Sequence, residues 1–414
     1  MVLVAVVGAV FLLSVVRLVT DSGELTSSGT FGAALGLAVP ILLAGLGGLW
    51  AERCGIVNIG LEGMMILGTW FGAWGAFEFG PWWGVLIGAL GGAAGGLLHA
   101  VATVTFGVDH IVSGVAINIL GGGAARFLSV VAYEGVPGGG ATQSPRVRGD
   151  VGRLDVPFLA GGDLFGWGSP DLFGWLQRRR WFLVSDIGGL LRGLTGGVHV
   201  LTLLALAIVP LTWWVLWRTP FGLRLRSVGE NPFAADSLGV PVYRMKYIGT
   251  TVSGALAGLG GAYLVLVSTG IYREGQTNGR GFIGLAALIF GNWRPGGVGL
   301  GSGLFGFASA VQLRSNDAVH ALLLFIALAA VVFAARAVWR RQAVGAVLLV
   351  LTALAFWGWW VSSDSVPTQL ISFTPHLTTL LVLALAAQRL RPPAAAAGVE
   401  GRDHTALGAQ RQPE

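Results

Sequence analysis

The sequence predicts an all-α, polytopic membrane protein of about ten transmembrane helices, at least one of them broken. Three observations predict it. Of 414 residues, 54% are hydrophobic and only 11% charged, against about 45–50% and about 25% in ordinary soluble chains. Mean hydropathy is +0.73. Apolar stretches of about 20 residues, the length that crosses a bilayer core, recur along nearly the whole chain. Too little polar surface remains to clothe a soluble globule, which excludes a soluble enzyme, a disordered chain and a fibrous repeat.

The apolar spans read 2–19, 31–50, 57–79, 82–106, 111–131, 198–217, 247–268, 281–291, 297–312, 319–338, 344–362 and 373–388. The first lacks a basic leader and a small-residue cleavage site, so it reads as a retained helix rather than a signal peptide. The span at 281–291 is too short to cross alone, and the one at 57–79 contains Asn58 and Glu62. Either suits half of a broken helix. Between 82 and 106, Gly84, Gly88, Gly92 and Gly96 leave one helical face as bare backbone, the pattern by which helices approach closely in lipid.

The residue counts exclude several chemistries. Lys246 is the single lysine, beside 25 arginines, and its Arg244-Met245-Lys246-Tyr247 setting is no Walker A loop. One cysteine, Cys54, leaves no internal disulfide and no Cys-rich metal site. The histidines are scattered, so no metal or other cofactor is expected. The arginines lie between apolar spans, and the partner they imply is a lipid bilayer and not a nucleic acid.

The basic loops set the orientation. Residues 218–246 carry Arg218, Arg224, Arg226, Arg244 and Lys246 against Glu230 and Asp236; Arg336, Arg340 and Arg341 lie between later spans, and Arg389 and Arg391 follow the last. Counting all twelve spans places these groups on one side, which the positive-inside rule makes cytoplasmic, with both termini. Segment 132–197 then falls outside, with seven arginines, six acids and the run Arg178-Arg179-Arg180. It reads either as a docking surface for an external partner or as an irregular insertion. The expected organisation is helices over 1–131, an extracytoplasmic insertion over 132–197, helices over 198–391 with the cytoplasmic loop 218–246, and a disordered cytoplasmic tail over 392–414.

A faint internal repeat runs through the two helical parts. Leu43-Ala44-Gly45-Leu46-Gly47-Gly48 returns as Leu256-Ala257-Gly258-Leu259-Gly260-Gly261, and Ile59-Gly60-Leu61 as Ile283-Gly284-Leu285. The span count runs the first pair in opposite directions, as in inverted-repeat transporters.

Glu52-Arg53-Cys54-Gly55-Ile56-Val57-Asn58-Ile59-Gly60-Leu61-Glu62-Gly63 is the most unusual stretch. Ionisable and amide groups at membrane depth cost free energy unless paired or wetted, and so point to function. Asn58 and Glu62, at i and i+4, would share a helical face, and the glycines permit a break. Two readings stand: a broken helix lining a translocation path, or an interfacial segment in which Glu52 pairs with Arg53 and Glu62 caps a turn. Asn118 is a further path-lining candidate. Asp109 and His110 read as a turn, and His99 as a packing histidine.

In the loop Val228-Gly229-Glu230-Asn231-Pro232-Phe233-Ala234-Ala235-Asp236-Ser237-Leu238-Gly239, Asn231 and Pro232 form an N-cap and N1 pair and Gly239 a C′ stop. That predicts a two-turn helix carrying Phe233 and Leu238 as apolar knobs. A linker has no need of one; a soluble partner that pushes on the membrane protein does.

Together these elements resemble the permease subunits of bacterial ABC importers in the ribose/nucleoside branch. The resemblance rests on Glu52 to Met65 with its Asn58-Ile59-Gly60-Leu61-Glu62-Gly63, the Asp109-to-Asn118 stretch with His110-Ile111-Val112-Ser113-Gly114-Val115-Ala116-Ile117-Asn118, the loop from Val228 to Ala235, Ser253 to Gly258, Gly279 to Ala287, and Pro375 to Leu380. The first of these is similar to nucleoside rather than sugar permeases. Departures are His376, where relatives carry Tyr, and the long insertion. The resemblance implies a non-catalytic permease in the bacterial cell membrane for nucleosides or related sugars. It implies a cytoplasmic ABC ATPase docked on the 230–239 helix, a second homologous permease in a heterodimer, and an extracytoplasmic substrate-binding lipoprotein. Asn58, Glu62 and Asn118 would line the path; Glu230, Asn231, Pro232, Phe233, Ala234, Ala235 and Gly239 would couple it to the ATPase. The rival class is a secondary transporter driven by H⁺ or Na⁺, with Glu62 as its carrier; a passive channel comes third.

Overall fold

In lipid the backbone finds no water, and only a ladder within each segment satisfies its N–H and C=O groups, so every apolar span folds as a helix. The computed structural model describes residues 2–164, 167–367, 370 and 391–395. In chain order the helices are α1 (Val2–Thr20), α2 (Ser28–Arg53), α3 (Leu61–Phe79), α4 (Pro81–Ala100), α5 (His110–Tyr133), α6 (Leu172–Arg178), α7 (Val184–Thr195), α8 (Val200–Arg218), α9 (Pro220–Glu230), α10 (Pro232–Ser237), α11 (Val242–Tyr263), α12 (Arg280–Phe290), α13 (Pro295–Gln312), α14 (Asn316–Trp339) and α15 (Ala343–Ser362). π-Helical turns at Val101–Thr105 and Leu264–Thr269 prolong α4 and α11. Strand among the described residues is confined to two-residue pieces in the 153–199 region, such as Asp163–Leu164 against Trp167–Gly168.

Eleven of the twelve expected spans coincide with helices. The twelfth, 373–388, lies outside the described residues, as do the Pro375–Leu380 motif with His376 and tail residues 396–414. Seven helices are individually long and apolar enough to cross a membrane: α2, α4, α5, α8, α11, α14 and α15. The half-helix expected at 281–291 is α12, whose 11 residues reach about 16 Å, half of a ~30 Å hydrocarbon core.

The chain divides into two compact units. One comprises Met1–Leu37, Arg153–Val198 and Gly306–Thr378. Its core gathers Val16, Leu25, Val311, Val319, Leu323 and Leu324. The Ser315 hydroxyl and N–H donate to Glu24 at 2.8 and 3.2 Å and hold its carboxyl below the usual range. The insertion expected over 132–197 is divided: residues 132–152 fall in the other unit and residues 153–197 in this one, where Arg17 of α1 pairs with Asp186 of α7 at 3.1 Å.

The other unit comprises Ala38–Gly152, His199–Phe305 and Thr379–Glu414. Its centre is the crossing of α4 with α11, and the expected glycine face makes it. A Cβ placed on Gly92 would lie 2.3 Å from the Gly254 carbonyl oxygen and 2.5 Å from the Gly258 Cα. Nothing but hydrogen fits, and the two backbones touch. The two copies of Leu-Ala-Gly-Leu-Gly-Gly lie on α2 and α11 and run antiparallel: Gly260 sits against Pro40, and Gly47 against Ser253.

Candidate functional site

α2 stops at Arg53 because Gly55 takes φ +86°, and the chain runs irregularly until α3 begins at Leu61. A buried, non-helical segment leaves backbone donors and acceptors that must find partners elsewhere. The polar residues of the neighbouring helices supply them. His99 Nε2 lies 3.2 Å from the Val57 carbonyl oxygen while its Nδ1 lies 2.8 Å from Ser113 Oγ. The Val57 N–H donates to His110 Nδ1 at 3.3 Å. Asn58 is wholly buried; it donates to Ser253 Oγ at 2.9 Å and accepts from the Gly60 N–H at 3.0 Å. Asn118 of α5 donates to the Ile59 carbonyl oxygen at 3.1 Å and accepts from the Gly63 N–H at 2.7 Å.

Glu62 occupies the first turn of α3 and reaches across to α12. Its two oxygens accept the Gly279 and Gly281 N–H groups at 2.9 and 2.7 Å. A carboxylate there meets both the unsatisfied donors and the positive end of the half-helix. Gly279, at φ +75°, turns the chain so that its N–H can join.

Asn58, Glu62 and Asn118 are thus brought together around one break. The shared helical face expected for Asn58 and Glu62 is not formed, because Asn58 precedes α3 and closes on Gly60 N–H. Each of the two readings of the stretch is met in part. The helix is broken, and Glu62 does cap a helix, but that helix is α12. Arg53 turns from Glu52 to Glu230 (3.7 Å) and the Trp293 carbonyl oxygen (2.7 Å), while Glu52 accepts from the Trp293 indole. Sequence reasoning missed Ser253, Trp293 and the bridging role of His99. Ser253 stood inside a quoted motif with no partner assigned.

These bonds set a stability expectation. Asn118→Leu strands the Gly63 N–H and the Ile59 carbonyl, at about 1–3 kcal/mol for each buried group. Thermal unfolding of the detergent-purified variant should fall by several degrees; an unchanged midpoint would mean that the break does not depend on Asn118.

The second cluster lies at the α9–α10 junction. Asn231 accepts the Ala234 N–H at 2.8 Å, Pro232 opens α10, and Gly239 at φ +80° ends it, as the spacing predicts. Pro232 and Ala235 are buried, while Phe233 and Leu238 are 36% and 83% exposed. The back of the junction rests on the break: a Cβ on Gly229 would lie 2.3 Å from the Arg53 carbonyl oxygen. Arg53 and Arg226 both lie over Trp217, 5.3 and 5.4 Å from its ring centre. Residues 391–395 join here, with the Ala395 N–H donating to the Gly229 carbonyl oxygen at 3.0 Å. Among the described residues no cluster of His, Cys, Asp and Glu is arranged to hold a metal.

Comparison with known proteins gives this geometry its family. The family described as branched-chain amino acid transport system / permease component matches residues 30–335. The guanosine ABC transporter permease protein NupQ of Bacillus subtilis is 37% identical over 289 residues, 68% of this chain and 81% of that protein. The nucleoside ABC transporter permease protein NupC of Lactococcus lactis is 37% identical over 283 residues, 67% of this chain and 79% of that one. More distantly, the glucose ABC transporter permease protein TsgB13 of Haloferax volcanii is 27% identical over 273 residues, 64% of this chain and 65% of that one. No solved structure matches the chain. The break tied down by polar side chains, the capped half-helix and the short exposed helix therefore belong to a multi-pass membrane protein of the branched-chain amino acid transport system / permease component family, an ABC transporter permease.

Proposed function

We propose that this chain forms the translocation path of a nucleoside importer and is driven by a separate cytoplasmic ATPase through α10. One observation carries the coupling reading: Phe233 on α10 and Leu238 just beyond its end are shown to solvent while the supporting junction rests on the break through Gly229 and Arg53. A push on α10 has a direct mechanical route to the irregular segment between α2 and α3. Differential contact of the ATPase with two states of this junction would supply alternating access. The permease itself catalyses no covalent step.

The substrate reading rests on the nucleoside names of the two 37%-identical relatives and on charge. Glu62 is already matched by the first turn of α12, and the Arg280 guanidinium donates to the carbonyl oxygens of Gln276 and Thr277. Charges satisfied within the protein suit an uncharged solute. The same occupation of Glu62 argues against its serving as an ion carrier. Asn58, Glu62 and Asn118 remain the proposed path-side residues, as positioners of the break.

A second permease in a heterodimer and an extracytoplasmic binding lipoprotein complete the proposed complex. Both termini are assigned to the cytoplasm; residues 391–395, packed on the α9–α10 junction, support this for the C-terminal end. Competition decides the substrate. With the partner subunits present, excess unlabelled guanosine or uridine should suppress uptake of labelled adenosine, and excess glucose or ribose should not. Suppression by the sugars alone would reassign the substrate.

Glu230→Gln tests the junction. Its pair with Arg53 is 3.7 Å long and the Glu230 side chain 56% exposed, so the lost pair is worth at most about 1 kcal/mol. Folded yield should hold while uptake falls several-fold. Full uptake would remove the Arg53–Glu230 link from the coupling route.

A further inference from the structure

One face of α5 carries charge where an apolar helix would otherwise meet lipid. Arg126 stands seven residues before the end of α5, about 10 Å along its axis. Its guanidinium donates to the Glu274 carboxylate at 2.7 Å, and the two side chains remain 57% and 40% exposed. Gly123 and Gly122, three and four residues before Arg126, have nothing within 4 Å of their Cβ positions. Open space therefore adjoins the pair.

Glu274 belongs to an irregular segment, 271–279, between the π-helical turn that ends at Thr269 and α12. The Glu274 N–H donates to the Thr142 carbonyl oxygen at 2.8 Å, and five residues later the Gly279 N–H reaches Glu62. Glu62 adjoins Gly63, whose N–H is held by Asn118, 15 residues from the end of α5 and so about 22 Å from it. The segment thus descends from the Tyr133 end of α5 to near its middle. Arg273, Glu274, Gly275 and Asn278 are exposed along the way. Irregular backbone and charged side chains at membrane depth stand only inside protein or against a water-filled cavity. These residues are not covered by their own chain, so they mark a wet wall.

We propose that Arg126 and Glu274 form a solute subsite on this wall, where the Glu274 carboxylate accepts hydrogen bonds from the ribose hydroxyls of a passing nucleoside and the Arg126 guanidinium donates to them. The proposal rests on the nucleoside importer reading and names the residues that would recognise the sugar. A mutually paired carboxylate and guanidinium bring no net charge, which suits an uncharged solute, and charge-assisted bonds to hydroxyls supply the selectivity.

The test uses the full chain reconstituted with its second permease and ATPase, without binding protein. Cys54 is the single native cysteine and is buried, so introduced thiols report alone. Arg273→Cys and Asn278→Cys should react with a charged, membrane-impermeant methanethiosulfonate roughly tenfold or more faster than Leu351→Cys on the exposed apolar face of α15, because the reactive thiolate forms in water and not in hydrocarbon. Excess uridine should slow labelling of Asn278→Cys several-fold, and 2′,3′-dideoxyuridine, which lacks the hydroxyls, should not. Adding Glu274→Gln should abolish the protection while labelling stays fast, which shows that the wall is intact. Labelling of both sites as slow as at Leu351→Cys, the result expected if lipid or the second permease covers this face, overturns the proposal. So does the absence of protection by any solute, equal protection by the two uridines, or protection that survives Glu274→Gln. Protection by glucose and not by uridine, lost in Glu274→Gln, leaves the hydroxyl subsite in place and overturns the nucleoside reading instead.

Discussion

Replacing Phe233 and Leu238 together by Asp should reduce uptake to background while the protein still folds and reaches the membrane. Phe233 on α10 and Leu238 at its C-terminal cap stand out at 36% and 83% exposure, so the folded chain alone loses little when they change. Exposed apolar residues on a short, doubly capped helix are the anchors by which a soluble partner would hold it, and truncating such anchors costs ~2 kcal/mol or more apiece. Two new carboxylates would add a desolvation cost at the same contact. Crosslinking in native membranes followed by purification should recover an ATPase with the wild type and none with the variant. Ala235→Asp is a poor substitute for this test, because Ala235 is buried and the change would disturb the junction itself. Retention of the ATPase by the Phe233/Leu238 double variant would place its docking surface elsewhere.

Gly92→Leu should nearly abolish folded protein. Its Cβ would fall 2.3 Å from the Gly254 carbonyl oxygen and 2.5 Å from the Gly258 Cα, and neither is a side chain that can swing away. Overpacking an ordinary core costs about 1–3 kcal/mol because side chains adjust. Here α4 and α11 would have to separate, which would also open the contacts of Gly96 with Thr250 and Gly254. Gly303→Leu on α13 is the control, since nothing lies within 4 Å of its Cβ position. Size-exclusion chromatography of the two variants should show a folded peak for Gly303→Leu and, for Gly92→Leu, at least a tenfold loss, on the order expected for destabilisation past the stability margin. Comparable folded peaks from both would mean that the close crossing is not needed.

Much of this architecture was legible in the sequence because lipid enforces it. An apolar run of sufficient length has one satisfactory backbone solution, and the twelve spans read from composition led to eleven described helices. The cap residues of α10 were equally legible, since Asn231, Pro232 and Gly239 each act through their own local geometry. The Gly84–Gly96 row announced a close crossing, although not its partner, because the period of a glycine face carries no address.

What stayed hidden was long-range. Asn58 and Glu62 stood out as costly polar groups, yet their spacing suggested one helical face when Gly55 had already ended the helix. The partners of these residues, Ser253 and the Gly279–Gly281 turn, are far away in sequence. No local pattern could pair them. One of the two readings of the stretch paired Arg53 with its neighbour Glu52; Arg53 instead turns to Glu230 and Trp293, because adjacent residues on a helix point apart. His99 read as a packing histidine because a lone imidazole in an apolar span carries no sign of the carbonyl it will meet.

The central claim is that an ATPase pushes on α10 and thereby opens a path for an uncharged solute. Its most direct test is uptake of labelled guanosine into proteoliposomes holding this chain, its second permease and the ATPase, with binding protein outside and ATP sealed inside. The account predicts uptake that stops when the ATPase carries a hydrolysis-deficient site and that persists when a protonophore collapses the proton gradient. Uptake by this chain alone, indifferent to ATP and abolished by the protonophore, would contradict it and return Glu62 to the role of ion carrier.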